Sequence, residues 1–291
     1  MASGKLKFAG VGARDVYNIT ASFTFDGHVM IAGRVEGRET EHAETVFFTP
    51  SGDEWVPVPG APTFPALQDP CITFVDDELV FGGVQFPIKI PGGENIWRMQ
   101  FYRGKTLAGL KHFFEGPDKM KDIRLKQLSD GRIGVLTRPQ GGRGGRGKVG
   151  FMTVDRLEAL TVEQMEAAPL FEHLFLPDEW GGANEAHVLA NGNLGVLGHM
   201  AYFDEKEHRH YYPMVFSVDL KTGLATSPKI IAQRKDFPAG ESKRADLADV
   251  LFSGGIVRHG DNTATLYAGL SDAEAGWVRI PDPFRSFEQR R

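Results

Sequence analysis

Apolar positions along the chain fall in short runs, broken by Gly, Asp and Asn, and they alternate with polar ones more often than they recur at helical spacing. The runs also repeat. An acidic or amide residue opens a short apolar strand, an Asp-Gly-like turn follows, and a second strand rich in small and β-branched residues returns, which is the pattern of a hairpin. One copy reads Asn18-Ile19-Thr20, Asp26-Gly27 and Val29–Val35; the next reads Asp69-Pro70-Cys71-Ile72, Asp76-Asp77 and Leu79–Val84. A third joins Asp122-Ile123-Arg124-Leu125 through Asp130-Gly131 to Ile133–Thr137, and a fourth joins Asn184-Glu185-Ala186-His187 through Asn191-Gly192 to Leu194–His199. The fifth is more degenerate, from Asp249-Val250-Leu251-Phe252 through Asp261-Asn262 to Thr265–Leu270. Each hairpin is followed by a further strand-like stretch: Thr45–Phe48, Ile96–Tyr102, Val149–Val154, Pro213–Val218 and Trp277–Ile280. Openers at 18, 69, 122, 185 and 249 lie about 50 to 65 positions apart, room for a four-stranded blade each. The pattern predicts an all-β, five-bladed β-propeller forming a single domain over residues 1–291. One helical stretch interrupts it, Leu157 to Ala168, with a capping box from Thr161 to Gln164.

Composition narrows the function classes. Among 291 residues, 33 Lys and Arg face 38 Asp and Glu, a net charge of −5 that argues against a nucleic-acid partner. With 41% hydrophobic residues the chain can bury a substantial core, and 35 glycines and 21 phenylalanines suit many strands joined by tight turns. A single cysteine, Cys71, excludes an internal disulfide framework and a Cys-rich zinc site, and its place in a core strand makes it a buried apolar residue. No run approaches the roughly 18 apolar residues a membrane span needs, and Met1 to Gly10 has no apolar signal core. A cytoplasmic protein without a membrane partner is expected; the oligomeric state is not legible.

The repeat also says where chemistry belongs. The first strand of a propeller blade lines the central channel, so Asn18, Asp69, Asp122, Glu185 and Asp249 are expected to converge at one end of it. Four carboxylates crowded there would hold some of their number protonated, a cost that a structural protein has little reason to bear; the plainer reading is that each only bonds backbone donors at a strand start. Gly142-Arg-Gly-Gly-Arg-Gly147-Lys148 has the spacing of a phosphate-binding P-loop, but Val149 stands where a metal-binding Ser or Thr is needed and a strand follows instead of a helix. Its remaining functional reading is a loop that lays Arg143, Arg146 and Lys148 over a small anion. Arg138 and His199 end equivalent strands and are expected at the same rim. His208 and His210 fall on one face of a strand, with no third ligand at a convincing spacing, so hydrogen bonding is favoured over a metal. Trp97, Phe101, Tyr102, Trp180, Tyr202, Tyr211 and Tyr212 offer rings on which sugars stack.

Several of these motifs resemble a known family. Leu67-Gln68-Asp69-Pro70 is similar to the Glu-Asp-Pro type motif of the five-bladed mannoside phosphorylases of glycoside hydrolase family 130. Met120-Lys-Asp-Ile-Arg-Leu125, Thr137-Arg-Pro-Gln140, Trp180-Gly-Gly-Ala-Asn-Glu-Ala-His187, Gly198-His199, Arg209-His-Tyr-Tyr-Pro213 and Phe252-Ser-Gly-Gly255 resemble the mannosyltransferase/phosphorylase family acting on β-1,2-mannan, long filed as a domain of unknown function. The resemblance spans Tyr17 to Glu274. It implies inverting phosphorolysis of a β-mannoside to α-mannose 1-phosphate, and the reverse synthesis; some members also take a nucleotide-mannose donor. It implies that Asp69 is the general acid, passing its proton through a sugar hydroxyl, and that Asn18 stands where several furanosidase relatives carry a nucleophilic Asp, which disfavours retention. Asn18, Asp122, Asn184, Glu185 and Asp249 are then expected to bind sugar hydroxyls, and Arg138, Lys148, His199 and Tyr212 to hold phosphate. The partners implied are a mannose-containing oligosaccharide and inorganic phosphate as co-substrate, with no cofactor and no metal. An inverting hydrolase and a non-catalytic carbohydrate-binding propeller are the competing readings.

Overall fold

The computed structural model describes residues 2–289, and nearly all of its regular structure is antiparallel sheet. Successive strands pair with their neighbours in five units. The first holds Asp15–Tyr17, Phe23–Phe25, His28–Glu36, Ala43–Ser51, Glu54–Pro57 and Phe64–Pro65; the second holds Leu67–Val75, Glu78–Lys89, Asn95–Gly104 and Lys111–Glu115. The third is Arg124–Gln127, Ile133–Thr137 and Gly150–Val154. Trp180–Val188, Leu194–Phe203, Arg209–Val218 and Lys229–Ile230 make the fourth, and Asp249–Arg258, Thr263–Leu270 and Glu274–Pro281 the fifth. A brief parallel contact, His210 to Asp249 and Tyr211 to Val250, stitches the fourth unit to the fifth. The N-terminal strand Ser3–Lys5 completes the fifth unit by pairing with Glu274–Pro281. Gly4 is required there, because a Cβ would sit 2.8 Å from the Trp277 indole.

Turn chemistry accounts for the register. Asp26 and Gly27 (φ 51° and 76°) and Asp76 and Asp77 (φ 47° and 64°) both take the left-handed conformation of a two-residue hairpin loop whose twist matches the flanking strands. Gly131, Gly192 and Asn262 supply the positive φ at the other turns. The helical stretch splits into a 3-10 turn, Leu157–Ala159, and a helix, Val162–Ala167, whose N-cap Thr161 accepts from the Gln164 N–H at 3.3 Å.

The core lies between units. Phe47 of the first packs on Phe81 of the second with ring centroids 5.1 Å apart. Cys71 and Phe101 meet Ile123 and Val135 of the third, Leu136 and Val149 meet Val196 and Phe216 of the fourth, and Leu197 and Val215 meet Leu251 and Leu266 of the fifth. Ala275 of the fifth returns to Val16, Ile31 and Phe48 of the first. Each unit therefore buries one face on the next and the last buries a face on the first. Cys71 is buried as expected, and burial pushes its thiol up. Among the described residues no helix is long and apolar enough to cross a membrane.

Candidate functional site

The first strands of the second, fourth and fifth units break their regular pairing. Pairing slips between Gln68 and Cys71, between Ala183 and Glu185, and between Ser253 and Gly255. Pro70 has no N–H for a ladder bond, and Asp69 beside it adopts φ 49°, a left-handed geometry that Asp tolerates better than most residues. Asn18 (φ 44°) and Asp122 (φ 58°) do the same where the first and third units begin. A bulge re-aims one side chain out of the pleat; the bulge at Asp69 and the left-handed backbone at Asn18 and Asp122 bring these three side chains to the wall of one cavity of about 670 Å³.

Two of the expected residues are displaced by this register. The inserted residue of the fourth unit is Asn184, so Glu185, one position on, faces away. Its carboxylate accepts from the Ile256 N–H at 2.7 Å, contacts His187 Nε2 at 2.9 Å, and lines a separate hollow with Cys71 and Arg124. The fifth unit places Gly254 at its break, where any Cβ would strike the Ile19 carbonyl; Asp249 sits at the start of that strand. There its Oδ2 receives the Tyr212 hydroxyl at 2.8 Å and lies 2.7 Å from His210 Nδ1. Asp249 and Tyr212 thus form a cluster of their own, off the cavity wall, and alternation turns Tyr211 inward instead. Lys148 is also elsewhere, paired with Glu172.

What remains is a compact charged site. Asp69 Oδ1 accepts from Asn18 Nδ2 at 2.8 Å and from Arg34 Nη1 at 3.3 Å, which leaves Oδ2 for the cavity. Arg34, stacked 5.0 Å over the Tyr17 ring, is held from behind by the fully buried Glu36. Glu36 is in turn bonded by Lys243, whose Nζ also reaches the Thr40 carbonyl at 2.8 Å. Across the cavity, buried Arg138 donates from Nε to the Gly181 carbonyl at 2.7 Å and from Nη2 to the Arg146 carbonyl at 3.2 Å. Its Nη1 lies 3.3 Å from Asp122 Oδ2 without hydrogen-bond alignment and makes no hydrogen bond among the described residues. Gly182 is obligatory between them, since a Cβ would stand 2.7 Å from Arg138 Cδ and 2.8 Å from Asp122 Oδ2.

Burial works to raise the Asp122 carboxyl, but the Arg138 and Arg124 guanidiniums outweigh it and hold it below its ordinary value. Asp272, which also lines the cavity, is pushed up by burial and by Asp69 despite Arg34. His199 is buried, stacked 5.4 Å from the Tyr211 ring, with Nδ1 2.8 Å from Asn184 Oδ1 and Nε2 4.0 Å from Asp122. Asn184 therefore stands behind His199, away from the cavity surface, and fixes its ring. Burial pushes the imidazole down to about 3, with the nearby Asp122 only partly opposing it.

A pH dependence follows from His199. The folded state refuses a proton that the unfolded imidazole accepts below its ordinary value near 6.5, so stability is present above that pH and is lost as pH falls toward 3. Between pH 7.5 and 5 this group alone is expected to cost about 2 kcal/mol, and Asp122 adds to the loss only below the ordinary carboxylate range. Urea midpoints at the two pH values check it. His199→Gln should flatten the difference, and equal losses in both proteins would refute the assignment.

Seven cationic side chains, Arg34, Lys119, Lys121, Arg138, Arg146, Arg209 and Arg244, line the cavity against four carboxylates, Glu41, Asp69, Asp122 and Asp272. A net-acidic chain thus builds a cationic chamber. Arg34 is the member most readily missed in the sequence; its signal is a lone cation in the apolar run from Met30 to Val35. His208 and His210 approach Asp204 Oδ2 at 3.4 and 3.5 Å, and among the described residues no group of three or more His, Cys, Asp or Glu could hold a metal ion.

This mostly β fold is shared with solved proteins of low sequence identity. A β-1,2-mannobiose phosphorylase from Listeria innocua, solved with β-1,2-mannobiose, shares it at 12% identity, 98% of this chain, 92% of that chain and a TM-score of 0.67. Closer in sequence are two proteins of Leishmania mexicana. A mannose phosphorylase solved with a phosphate ion is 36% identical over 98% of this chain and 90% of that chain, with a TM-score of 0.90. A GDP-Man-dependent mannosyltransferase is 32% identical over 98% and 91%, with a TM-score of 0.88. Residues 1–286 match the family described as protein of unknown function DUF1861, and the chain belongs to that family. The resemblance read from the motifs is thereby borne out. No curated protein matches the chain.

Proposed function

We propose that the protein is an inverting phosphorylase of β-1,2-linked mannosides, built as a five-bladed propeller whose blades are the five antiparallel units. The cyclic order in which the units pack supports the architecture. The observation that carries the chemistry is the meeting, in one cationic cavity, of Asp69, whose Oδ2 makes no hydrogen bond among the described residues, and Arg138, whose Nη1 is ion-paired with Asp122 but not hydrogen-bonded, in a chain 36% identical to a mannose phosphorylase.

Phosphorolysis needs a proton for the departing oxygen and an anionic nucleophile held on the opposite face of the ring. Asp69 carries the proton on Oδ2, while Asn18 and Arg34 fix Oδ1. Phosphate is already an anion and needs cations, not a base; Arg138 holds it, with Lys121, Arg209 and neutral His199 as candidate partners. A phosphate oxygen bonds C1 as the glycosidic C1–O bond breaks, and the proton from Asp69 completes the released sugar. The mannose leaves as α-mannose 1-phosphate. Asp122, locked ionised between Arg138 and Arg124, orients those guanidiniums and accepts from sugar hydroxyls. No cofactor or metal takes part.

The test is incubation with β-1,2-mannobiose and longer β-1,2-mannan, with and without phosphate, measuring mannose 1-phosphate and free mannose separately. Phosphate-dependent mannose 1-phosphate is expected. Free mannose irrespective of phosphate would mean a hydrolase, and binding without turnover a carbohydrate-binding propeller. A second reading, transfer from a nucleotide-mannose donor, is favoured by the mannosyltransferase at 32% identity; consumption of GDP-mannose tests it. Within the phosphorylase reading, Arg138→Met should raise the KM for phosphate about tenfold or more, because a charge-assisted contact is worth about 1.5–3 kcal/mol. An unchanged KM would remove Arg138 from the phosphate site.

A further inference from the structure

The glycine-rich loop that resembles a P-loop in spacing separates the Asp69 cavity from a second hollow of about 680 Å³, a size suited to a small organic ligand. The two share Gly145, Arg146 and Phe203 as a common lip. The loop backbone is pinned. Gly141 and Gly145 exchange N–H to carbonyl bonds of 2.8 and 2.7 Å, and Gln140 Nε2 donates to the Arg146 carbonyl at 3.0 Å. Arg143 is spent on the Ala167 and Ala168 carbonyls at 3.3 and 2.7 Å, and Lys148 on Glu172. Neither therefore reaches for an anion. Arg146 is the exception: exposed, with its guanidinium 5.3 Å over the Trp180 ring and 4.8 Å over Phe203, it stands at the junction of the two hollows.

The hollows differ in charge. Beyond the lip, Glu172, Asp178, Glu179, Asp204 and Glu207 face only Arg146 and Lys148. Glu172 is paired, Glu179 accepts from the Leu176 N–H at 2.9 Å, and Asp204 closes its own turn by accepting from Lys206 and His208. Asp178 and Glu207, both exposed, are left to accept from a ligand. Phe175, Phe203 and the 69% exposed Leu176 add apolar surface. A ligand that fits here donates hydrogen bonds, has apolar C–H faces and carries no negative charge. That describes a neutral sugar chain and disfavours a nucleoside diphosphate.

We propose that this hollow is an extended subsite for the distal units of an uncharged oligosaccharide whose reacting end lies at Asp69, the chain crossing the lip over the ring-stacked Arg146. The proposal rests on the mannoside reading above. It makes the enzyme prefer long chains.

The test compares kcat/KM for β-1,2-mannobiose and β-1,2-mannotetraose, with phosphate, in the native protein and in Asp178→Ala/Glu207→Ala. The native ratio of tetramer to dimer should exceed unity, and the double variant should lower it about tenfold, the effect of losing charge-assisted hydrogen bonds. A native ratio near unity, or one unmoved by the variant, overturns the extended subsite while leaving the phosphorylase reading intact. Turnover of neither mannoside overturns both. If the same double variant weakens GDP-mannose binding in calorimetry, the hollow serves a nucleotide and the proposal fails.

Discussion

Asp69→Asn is expected to abolish phosphate-dependent release of mannose 1-phosphate, with kcat/KM falling about 10²–10⁴-fold, the contribution of a positioned general acid. The substitution keeps the volume and keeps an oxygen that can accept from Asn18 and Arg34 as Oδ1 does now, so the fold should survive. What it removes is the proton transfer that the proposed mechanism assigns to the atom facing the cavity. A good leaving group needs no such proton, so an activated aryl β-mannoside should recover much of the lost rate. Full activity on mannobiose in Asp69→Asn would end the assignment, and equal losses on activated and natural substrates would move Asp69 from proton transfer to binding.

The largest stability effect is expected at Glu36. Its carboxylate is fully buried, bonded to Arg34 Nε at 2.7 Å and to Lys243 Nζ. Lys243 lies in the connection leading into the fifth unit and is tied to it by its N–H donating to the Ser271 carbonyl at 3.0 Å, so this ion cluster links the last unit to the first beside the apolar contact of Ala275 with Ile31 and Phe48. Glu36→Ala leaves two buried cations short of their counter-charge, and removing one partner of such a cluster costs about 3–5 kcal/mol. Urea unfolding measures it; a loss under about 1 kcal/mol would show that water replaces the carboxylate and that the cluster is not closed. Glu36→Ala should also lower turnover in whatever fraction stays folded, because Arg34 would no longer be held against Asp69.

Much of this was legible along the chain. Asp26-Gly27 and Asp76-Asp77 announce two-residue turns because few residues accept positive φ twice in succession, and Thr161 announces a helix start by offering its hydroxyl to the Gln164 N–H. Asp69 was legible as the residue that opens the second copy of the repeat and through the motif Leu67-Gln68-Asp69-Pro70; the structure adds the bulge beside Pro70 that releases its side chain. These are short-range matters, decided by sterics and hydrogen bonding within a few residues.

The remainder depends on which way a strand faces. Glu185 and Asn184 are adjacent, and only the one-residue slip between Ala183 and Glu185 decides that Asn184 goes in behind His199 while Glu185 turns to another hollow. Nothing in the local composition sets that slip; the close approach of the neighbouring units does, as at Gly182 and Gly254, where no Cβ fits. Lys148 and Arg143 read equally well as anion ligands until Glu172 and the helix-end carbonyls claim them from across the fold. The sequence by itself determined the strands, their turns and their period, because those follow from local geometry, and it marked Asp69 as the candidate acid through its motif. The tertiary structure alone decided the membership and sign of the cavity, because a charge belongs to a site only when residues distant in the chain leave it unpaired there.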